Sequence, residues 1–454
     1  MNTILKTISF KNLSNWSVAH LLANDFDYNE TFPLVRIGSF LTRNKTRIEI
    51  EDETVYKRVT IRLYNKGVKL RNSEIGKNIG TKKQFLIKKG HFLLSKIDAR
   101  NGAFGIATEE IDGAIITADF FAYDIDETKI DPLFLVLITT TKQFQKFAQS
   151  ASSGTTGRQR IDETKFLDVK IPLPNITRQK KILDLYKKRK KTAAIFENSI
   201  VQEKGNIQKT IKEQLLIKEV ELSKFQLLSF IKYKKLNSWS VRDLKESQTI
   251  QSNQFNVFSL NDKIELSELV IRGKSPKYDI TSDKIILNQK CIRWNKIEIE
   301  HAKKVNTEWY SKIDSKHFTK EGDILINSTG EGTIGRASYI YKSFENLLFD
   351  SHILLLRVNK NKINPIFLTH YINSNLGQSQ IENIKSAMAT KQTELGINNL
   401  KRIQFVVPSL EIQNNIAVRL ELLNANISIS REKVINSRKT AKSEFVKEIF
   451  NEIN

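Results

Sequence analysis

Cysteine is nearly absent from this chain of 454 residues. The single one, Cys291, excludes an internal disulfide and any zinc site built on cysteine pairs. The six histidines include no two that lie three to five residues apart, a spacing common among paired zinc ligands. We therefore predict that the chain has no metal site.

Long apolar runs are also missing. The longest, Leu133–Ile138, is far too short, because a helix that crosses a bilayer needs about 20 apolar residues. Residues 1–12 lack the apolar block of a signal peptide. The sequence predicts a soluble, cytoplasmic protein with no membrane partner.

Motifs that would indicate catalysis are absent or incomplete. The sequence has no Walker loop, no Gly-x-Ser-x-Gly elbow and no Pro-Asp nuclease motif. Gly330–Gly335 has the form G-x-G-x-x-G, but Arg336–Tyr341 after it reads as a strand, whereas a dinucleotide site needs a helix there. We interpret Gly330–Gly335 as a tight turn between two strands.

A second motif resembles the loop with which amino-methyltransferases hold a flipped base. Asn364–Phe367 reads Asn-Pro-Ile-Phe, without the second proline of that loop, and the corresponding segment of the first half is Asp131–Phe134. Neither is accompanied by a glycine-rich loop for S-adenosylmethionine. We interpret both as helix starts with proline at the first position.

Positive charge is plentiful. The chain has 73 Lys and Arg against 50 Asp and Glu, a net charge of +23. Such a surplus is typical of proteins with a polyanionic partner, since cationic side chains release counterions when they neutralise phosphates. An AT-rich genome would also raise lysine, together with the abundant asparagine and isoleucine, so charge alone does not decide.

The chain contains an internal repeat at an offset of about 223 to 234 residues. Trp16–Val18 returns as Trp239–Val241, and Gly102–Gly105 returns as Gly332–Gly335. Two copies can bind two similar ligands, or two halves of one ligand, at a fixed separation. Each copy begins with a mixed domain rich in short strands separated by Gly, Asn and Asp signals.

A long amphipathic helix is predicted after each of these domains, following Pro174 and Pro408. Forty residues of helix would span roughly 60 Å, and an apolar stripe of that length has to be buried. We predict that the two helices pack as an antiparallel coiled coil; the alternative is that each stripe packs on its own domain. The predicted packing residues are Ile182, Leu185, Phe196, Ile200, Ile207, Ile211, Leu215, Ile416, Leu420, Leu423, Ile427, Val434 and Phe445.

In each copy a polar loop precedes the last strand and carries side chains that can read base edges. Arg pairs bidentately with guanine, Gln with adenine, and Ser or Thr serve bases or phosphates. An ordinary solvated loop is the alternative. The candidate contacts are Thr155, Thr156, Arg158, Gln159 and Arg160 in the first copy, and Thr390, Lys391 and Gln392 in the second.

The glycine turns and one basic strand supply further candidates for DNA binding. Because the turns repeat while their side chains differ, we expect each copy to read a different short sequence. The candidates beside the turns are Lys96, Arg100 and Asn101 in the first copy, and Ser328, Thr329 and Arg336 in the second. Those on the strand, where basic and apolar residues alternate, are Lys57, Arg58 and Arg62.

The whole layout resembles the DNA specificity subunit of Type I restriction–modification systems. The individual motifs are loose, but their order and duplication are specific, and the resemblance covers almost the entire chain. The segments that carry it are Trp16–Val18, Trp239–Val241, Tyr56–Arg71, Leu287–Gln289, the Gly-x-x-Leu turns, Ile171–Pro174 with Gln179, and Val406–Pro408 with Gln413.

The resemblance implies an α+β fold with two pseudo-repeated, strand-rich target recognition domains joined by two long antiparallel coiled-coil helices. It implies a first recognition domain over residues 1–175, a first long helix over 176–222, a connector and second recognition domain over 223–409, and a second long helix over 410–454. The helix pair would fix the gap between the two halves of an asymmetric, bipartite site in double-stranded DNA.

The resemblance also implies a non-catalytic chain that docks two methyltransferase (modification) subunits and restriction (translocase–nuclease) subunits. S-adenosylmethionine, ATP and Mg²⁺ would then belong to those partners, and this chain would hold no cofactor. Two alternatives stay open. The chain could be a coiled-coil scaffold without DNA specificity, or a divergent single-chain methylase–nuclease, although the latter needs a cofactor loop that the sequence lacks.

Overall fold

A computed structural model describes residues 28–145, 152–153, 160–218, 250–262, 265–384, 386–387 and 393–450. The chain divides into two compact units. The first unit comprises Met1–Ile195 with Lys433–Asn454, and the second comprises Phe196–Glu432. Each unit therefore takes a part of both long helices in addition to its own strands.

Within its described residues, the first half of the chain alternates short strands with two short α-helices and then enters a long helix. The strands β1 to β13 are Leu34–Arg36, Leu41–Asn44, Arg47–Glu49, Val55–Ile61, Val68–Ile75, Lys83–Leu86, Phe92–Ser95, Phe104–Ile106, Ile115–Ile116, Phe120–Ile125, Ser152–Ser153, Arg160–Ile161 and Lys170–Pro172. The helices α1 to α3 are Pro132–Thr139, Glu163–Asp168 and Ile176–Gln214.

The second half also alternates short strands with short helices and ends in a long helix. The strands β14 to β26 are Val257–Ser259, Ser267–Arg272, Ile285–Leu287, Ile292–Arg293, Lys296–Ile297, Lys303–Lys304, Asp323–Asn327, Ala337–Tyr339, Leu348–Phe349, Ile353–Val358, Ser386–Ala387, Thr393–Glu394 and Gln404–Val406. The helices α4 to α8 are Thr307–Ser311, Pro365–Asn373, Asn375–Ile384, Ile397–Lys401 and Leu410–Ile449.

The repeat in the sequence is a repeat in sheet topology. A four-stranded sheet has the order β2-β10-β7-β8 in the first unit and β15-β23-β20-β21 in the second. Two strand pairs also recur, β1 with β13 as β14 with β26, and β11 with β12 as β24 with β25. The remaining strands differ, because the first unit adds a five-stranded sheet, β3-β6-β9-β4-β5, and the second adds a three-stranded one, β19-β16-β22.

Both local motifs have the structure that the sequence predicts. Gly330–Gly335 connects the antiparallel strands β20 and β21, and Gly330, Gly332 and Gly335 all have positive φ. The prolines after Asp131 and Asn364 occupy the first turn of α1 and α5, and each preceding side chain accepts hydrogen bonds from the backbone of that turn. The interpretations as a strand-to-strand turn and as helix starts are confirmed.

A buried glutamine ties the first long helix to the rest of its unit. The Gln179 Oε1 accepts a hydrogen bond from the Asp131 N–H at 2.9 Å. Its Nε2 donates to the carbonyls of Lys129 and Pro174, at 2.8 Å each. Gln179 is completely buried, so this one side chain satisfies three backbone groups where α1 begins and where the chain enters α3.

The second unit repeats this arrangement around Gln413, which is also completely buried. Its Oε1 accepts from the Asn364 N–H at 2.8 Å, and its Nε2 donates to the carbonyls of Lys362 at 3.2 Å and Pro408 at 2.8 Å. The two glutamines that the resemblance singled out are therefore structural residues that fix the start of each long helix.

The predicted antiparallel helix pair is confirmed, with contacts in each unit. In the first unit Arg178 pairs with Glu448 and Arg189 pairs with Glu444. The residue numbers of the partners on α8 decrease as those on α3 increase, so the two helices are antiparallel. Phe445 packs edge-on to the Phe134 ring of α1, with 5.4 Å between the ring centroids. Each apolar stripe therefore packs partly against the other long helix and partly against the domain of the same unit.

Most of the predicted packing residues belong to these cores. The buried ones are Ile182, Ile207, Ile211, Leu215, Ile416, Leu420, Ile427, Val434 and Phe445. Ile200 and Leu423 are partly buried against the core of the second unit, and Phe196 is also partly buried.

One predicted packing residue is wrong, since Leu185 is 51% exposed. Leu183 and Tyr186 pack against the core in its place. With about 100° of rotation per residue, Ile182, Leu183 and Tyr186 share one side of α3, while Leu185 lies roughly 100° away from its centre. Residues three or four positions after Ile182 lie on opposite sides of it, so the sequence alone permits either Leu185 or Tyr186 to continue the stripe. Packing against the domain partly buries Tyr186.

Among the described residues, none of the helices is both long enough and apolar enough to cross a membrane.

Candidate DNA interface

The glycine turn and the polar loop of the first unit, which are far apart in sequence, meet in the structure. The N–H of Ile161, at the end of the polar loop, donates to the carbonyl of Lys96 at the start of the turn, at 2.9 Å. Arg160 also forms an ion pair with Asp119 at 3.1 Å, just before β10. We call the region formed by residues 96–105 and 160–161 the first corner.

The second unit forms the same junction. The Leu395 N–H donates to the Ser328 carbonyl at 2.8 Å, and Thr329 forms a β-bridge with Glu394. Ser328 and Leu395 follow Lys96 and Ile161 by 232 and 234 residues, which matches the offset of the repeat at these positions. We call the region formed by residues 328–336 and 393–395 the second corner.

Cations and an aromatic ring dominate the first corner. The Lys96 Nζ and the Arg43 guanidinium lie 4.4 Å and 4.3 Å from the centroid of the Phe121 ring. Glu163 lies 3.2 Å from the Nε of Arg43 and balances part of this charge. Burial lowers the pKa of the Lys96 ammonium, and the nearby positive charge of Arg43 lowers it further. The site thus favours an anionic ligand, because its negative charge would stabilise the charged forms of Lys96 and Arg43.

Hydroxyl, imidazole and amide groups meet at Thr329 in the second corner, which also contains the charged Arg336 and Glu394. The Thr329 Oγ1 lies 2.8 Å from the Nδ1 of His352 and 3.3 Å from the Oε1 of Gln289. Hydroxyl, imidazole and amide groups can each donate or accept at a base edge. Two corners with one backbone framework and different side chains are suited to reading two different sequences.

A groove of about 300 Å³ in the first unit, with both polar and apolar side chains in its lining, extends from the basic strand β4 to the first corner. Its lining includes Arg58, Arg71, Gln84, Ser95 and Asp98. Strand pairing is irregular between Arg58 and Val59 on β4, where Arg71 is the extra residue on β5. A bulge of this kind re-aims a side chain, and it allows Arg58 and Arg71 to line the same groove.

The other predicted strand residues are placed differently. The exposed Lys57 donates from Nζ to the carbonyl of Asp112 at 3.2 Å, away from the groove lining. Arg62 lies at the tip of the β4–β5 hairpin and donates to the carbonyl of Lys66 in the same turn. The hairpin tip reaches the glycine turn, because the Tyr64 N–H donates to the Asn101 carbonyl at 2.7 Å.

The remaining candidates divide into three groups. Ser328 is completely buried, so we do not retain it as a surface contact. Arg336 is partly exposed and its guanidinium lies 5.6 Å from the ring centroid of Trp294, while Arg100 is placed by its backbone within the short 3₁₀ helix Ala99–Asn101. Thr155, Thr156, Arg158, Gln159, Thr390, Lys391 and Gln392 lie outside the described residues.

One cluster of metal-type side chains exists in the second unit, where ligand atoms of Glu298, Glu300 and His301 lie within 4.8 Å of one another. Glu298 is already engaged, since the Arg293 Nε donates to its Oε2 at 2.7 Å. That hydrogen bond lowers the pKa of the Glu298 carboxyl, with the Arg293 and Lys296 charges acting in the same direction. The cluster is explained as an ion-pair network.

Sequence reasoning missed several residues that lie beside the two corners or in the groove. Arg43 and Phe121 are in strands that carry no distinctive motif, and Arg71 is exposed on β5. Gln289 belongs to a motif that the sequence analysis used only for the resemblance. Tyr64 and Trp294 could have been found from the sequence, because both begin an aromatic-Asn-Lys triplet at corresponding places in the repeat.

Comparison with known proteins agrees with the resemblance noted from the sequence. Residues 29–204 and 253–437 match the family described as Type I restriction modification DNA specificity domain. The chain is similar to the MjaX type I restriction enzyme specificity subunit of Methanocaldococcus jannaschii, with 28% identity over 213 residues, which is 47% of this chain and 45% of that protein. It is also similar to the StySPI specificity subunit of Salmonella potsdam, with 30% identity over 129 residues, which is 28% of each protein.

Both of these matches thus span less than half of the relative's own length. A solved structure from a study of type I restriction–modification complex assembly and conformational transition covers 93% of this chain and 99% of its own, with a TM-score of 0.57. At 12% identity that likeness shows the fold alone. The family match agrees with the prediction of a chain that recognises DNA without catalysing a reaction on it.

Proposed function

Because this chain belongs to the Type I restriction modification DNA specificity family, we propose that it is a non-catalytic specificity subunit that recognises an asymmetric, bipartite site in double-stranded DNA. Each corner contacts one half-site. Methyltransferase subunits dock on the long helices and supply S-adenosylmethionine chemistry, and restriction subunits that use ATP and Mg²⁺ join this core.

The repeated junction between turn and loop carries the proposal. The same backbone hydrogen bond, from Ile161 to Lys96 and from Leu395 to Ser328, builds both corners. Around it, one corner presents Lys96 and Arg160 and the other presents Thr329 and Arg336. A conserved backbone frame with divergent side chains favours two different readouts over two copies of the same one.

Docking of a partner is supported by a second apolar stripe on α8, within the second unit. Val418, Leu422 and Ile429 are 72%, 62% and 51% exposed. With about 100° of rotation per residue, they share one side of the helix, roughly opposite the buried Ile416 and Leu420. An exposed apolar stripe on a helix whose other side is already buried is typical of a protein–protein interface.

The proposal is tested by expressing the chain together with the methyltransferase subunit encoded beside it, in a host that lacks other adenine methylation. Single-molecule sequencing then maps N6-methyladenine across the genome. We expect one bipartite motif with a fixed gap. A stable complex of the two proteins that adds no methylation would support the scaffold alternative, and methylation by this chain alone would support the single-chain enzyme.

Replacing Arg160 with alanine is expected to weaken binding at one half-site by about tenfold, the range for loss of a specific base or phosphate contact. The side chain is 60% exposed and is held by Asp119. Fluorescence anisotropy with duplexes altered in either half would measure the effect. Asp119→Ala is the matched variant, because it removes the same ion pair and keeps the cation; equal losses at both half-sites would contradict the assignment.

A further inference from the structure

Two hairpin tips, one beside each glycine turn, carry the same aromatic-Asn-Lys triplet. Tyr64–Lys66 lies between β4 and β5, and Trp294–Lys296 starts in the turn between β17 and β18. The strands around the two tips belong to sheets of different size and order. The triplet thus lies beside the glycine turn in both units, although the sheets around it differ between the units.

Backbone contacts fix each tip against its glycine turn or the strand that follows it. In the first unit the Asn65 N–H donates to the Gly102 carbonyl at 2.9 Å, in addition to the bond from Tyr64 to Asn101. A Cβ at Gly102 would lie 2.7 Å from the Asn65 Oδ1, so the close approach needs glycine. In the second unit the Asn295 N–H donates to the Ala337 carbonyl at 3.1 Å.

The conformation of the first tip is unfavourable for tyrosine. Tyr64 and Asn65 have φ of 60° and 57°, and Asn295 has φ of 57°. Asparagine tolerates the left-handed region, whereas a bulky side chain there is strained. Asparagine or glycine would suit position 64 better for folding, and strain of this kind is often retained where the side chain has a function.

Both rings are exposed and lie beside a cation. Tyr64 is 72% exposed and has the Lys66 Nζ 6.0 Å from its ring centroid, while Trp294 is 39% exposed beside Arg336. The expected ligand of an apolar ring next to a positive charge combines an apolar face with negative charge. Duplex DNA has both, because the apolar faces of its deoxyriboses border its phosphates.

We propose that Tyr64 and Trp294 are DNA contacts, one for each half-site. Each ring packs against a deoxyribose at the edge of a groove, and the neighbouring cation lies at a phosphate. This inference rests on the proposed function and extends it. Every nucleotide offers the same apolar sugar face, so the rings raise the affinity and fix the position of the protein on DNA, while the corner side chains select the sequence.

The test uses the complex with the methyltransferase and a duplex that carries the mapped site. Tyr64→Asn is the most informative variant, because it removes the ring and relieves the backbone strain, so that the fold is kept or stabilised. We expect Tyr64→Asn and Trp294→Ala each to raise the Kd about tenfold and to leave the slope of log Kd against log salt and the preferred bases unchanged. Lys66→Ala, by contrast, is expected to lower that slope by about one.

The matched controls are Val55→Ala at the open end of the first hairpin and Ile280→Ala in the second unit, which shorten exposed apolar residues away from the tips. Wild-type affinity in Tyr64→Asn and Trp294→Ala would overturn the inference, as would a change in the preferred bases. If the wild-type complex itself shows no site-specific binding, the proposed function fails, and that result is distinct from loss in the tip variants alone.

Discussion

Leucine in place of Gln179 is expected to lower the free energy of unfolding of the first unit by about 3–9 kcal/mol. The substitution leaves three backbone groups without their partner, namely the Asp131 N–H and the carbonyls of Lys129 and Pro174. Each buried group that loses its hydrogen bond costs about 1–3 kcal/mol. Urea denaturation would measure the loss, and amide hydrogen exchange would place it at the starts of α1 and α3.

Lys180→Leu is the matched control, because the neighbouring side chain is exposed on the same helix and its replacement adds the same leucine. Gln413→Leu should reproduce the effect in the second unit, with increased exchange at the starts of α5 and α8. A loss below about 1 kcal/mol in both glutamine variants would contradict their role, since that is the cost of a single typical hydrogen bond.

Aspartate at both Val418 and Leu422 is expected to abolish binding of the methyltransferase subunit, and with it N6-adenine methylation in the cell. The two side chains are 72% and 62% exposed, so the isolated chain should fold normally. In a docked complex the carboxylates would be buried against an apolar surface, where an unpaired charge is strongly unfavourable. Co-purification and calorimetric titration of the two proteins measure the loss.

The matched control is Asn414→Asp with Ser428→Asp, which adds the same two charges at exposed polar positions of the same helix, roughly 60° and 100° from the centre of the stripe. Its binding should fall much less. Full methylation by the Val418→Asp, Leu422→Asp variant would show that the stripe is not the docking surface. The free chain should also keep its DNA affinity in this variant, whereas the tip variants lose DNA affinity and keep the methyltransferase.

Periodicity and repetition in the sequence were sufficient to predict the architecture. The return of Gly102–Gly105 as Gly332–Gly335 predicted two copies, and the stripes after Pro174 and Pro408 predicted the paired helices. The turn at Gly330–Gly335 was also predictable, because it depends on the chemistry of neighbouring residues. Such features are local or periodic, and the pattern of side chains records them directly.

The assembly of the candidate DNA interface was decided by tertiary structure. Lys96 and Ile161 are joined by a hydrogen bond between a backbone N–H and a backbone carbonyl. Almost every residue carries these two groups, so no side-chain pattern in the sequence predicts the junction. The same reason explains why the sequence included the buried Ser328 among the contacts and overlooked Arg43 and Phe121. A sequence determines which chemical groups are available and how often they recur, whereas the packing of distant segments determines which of them share one surface.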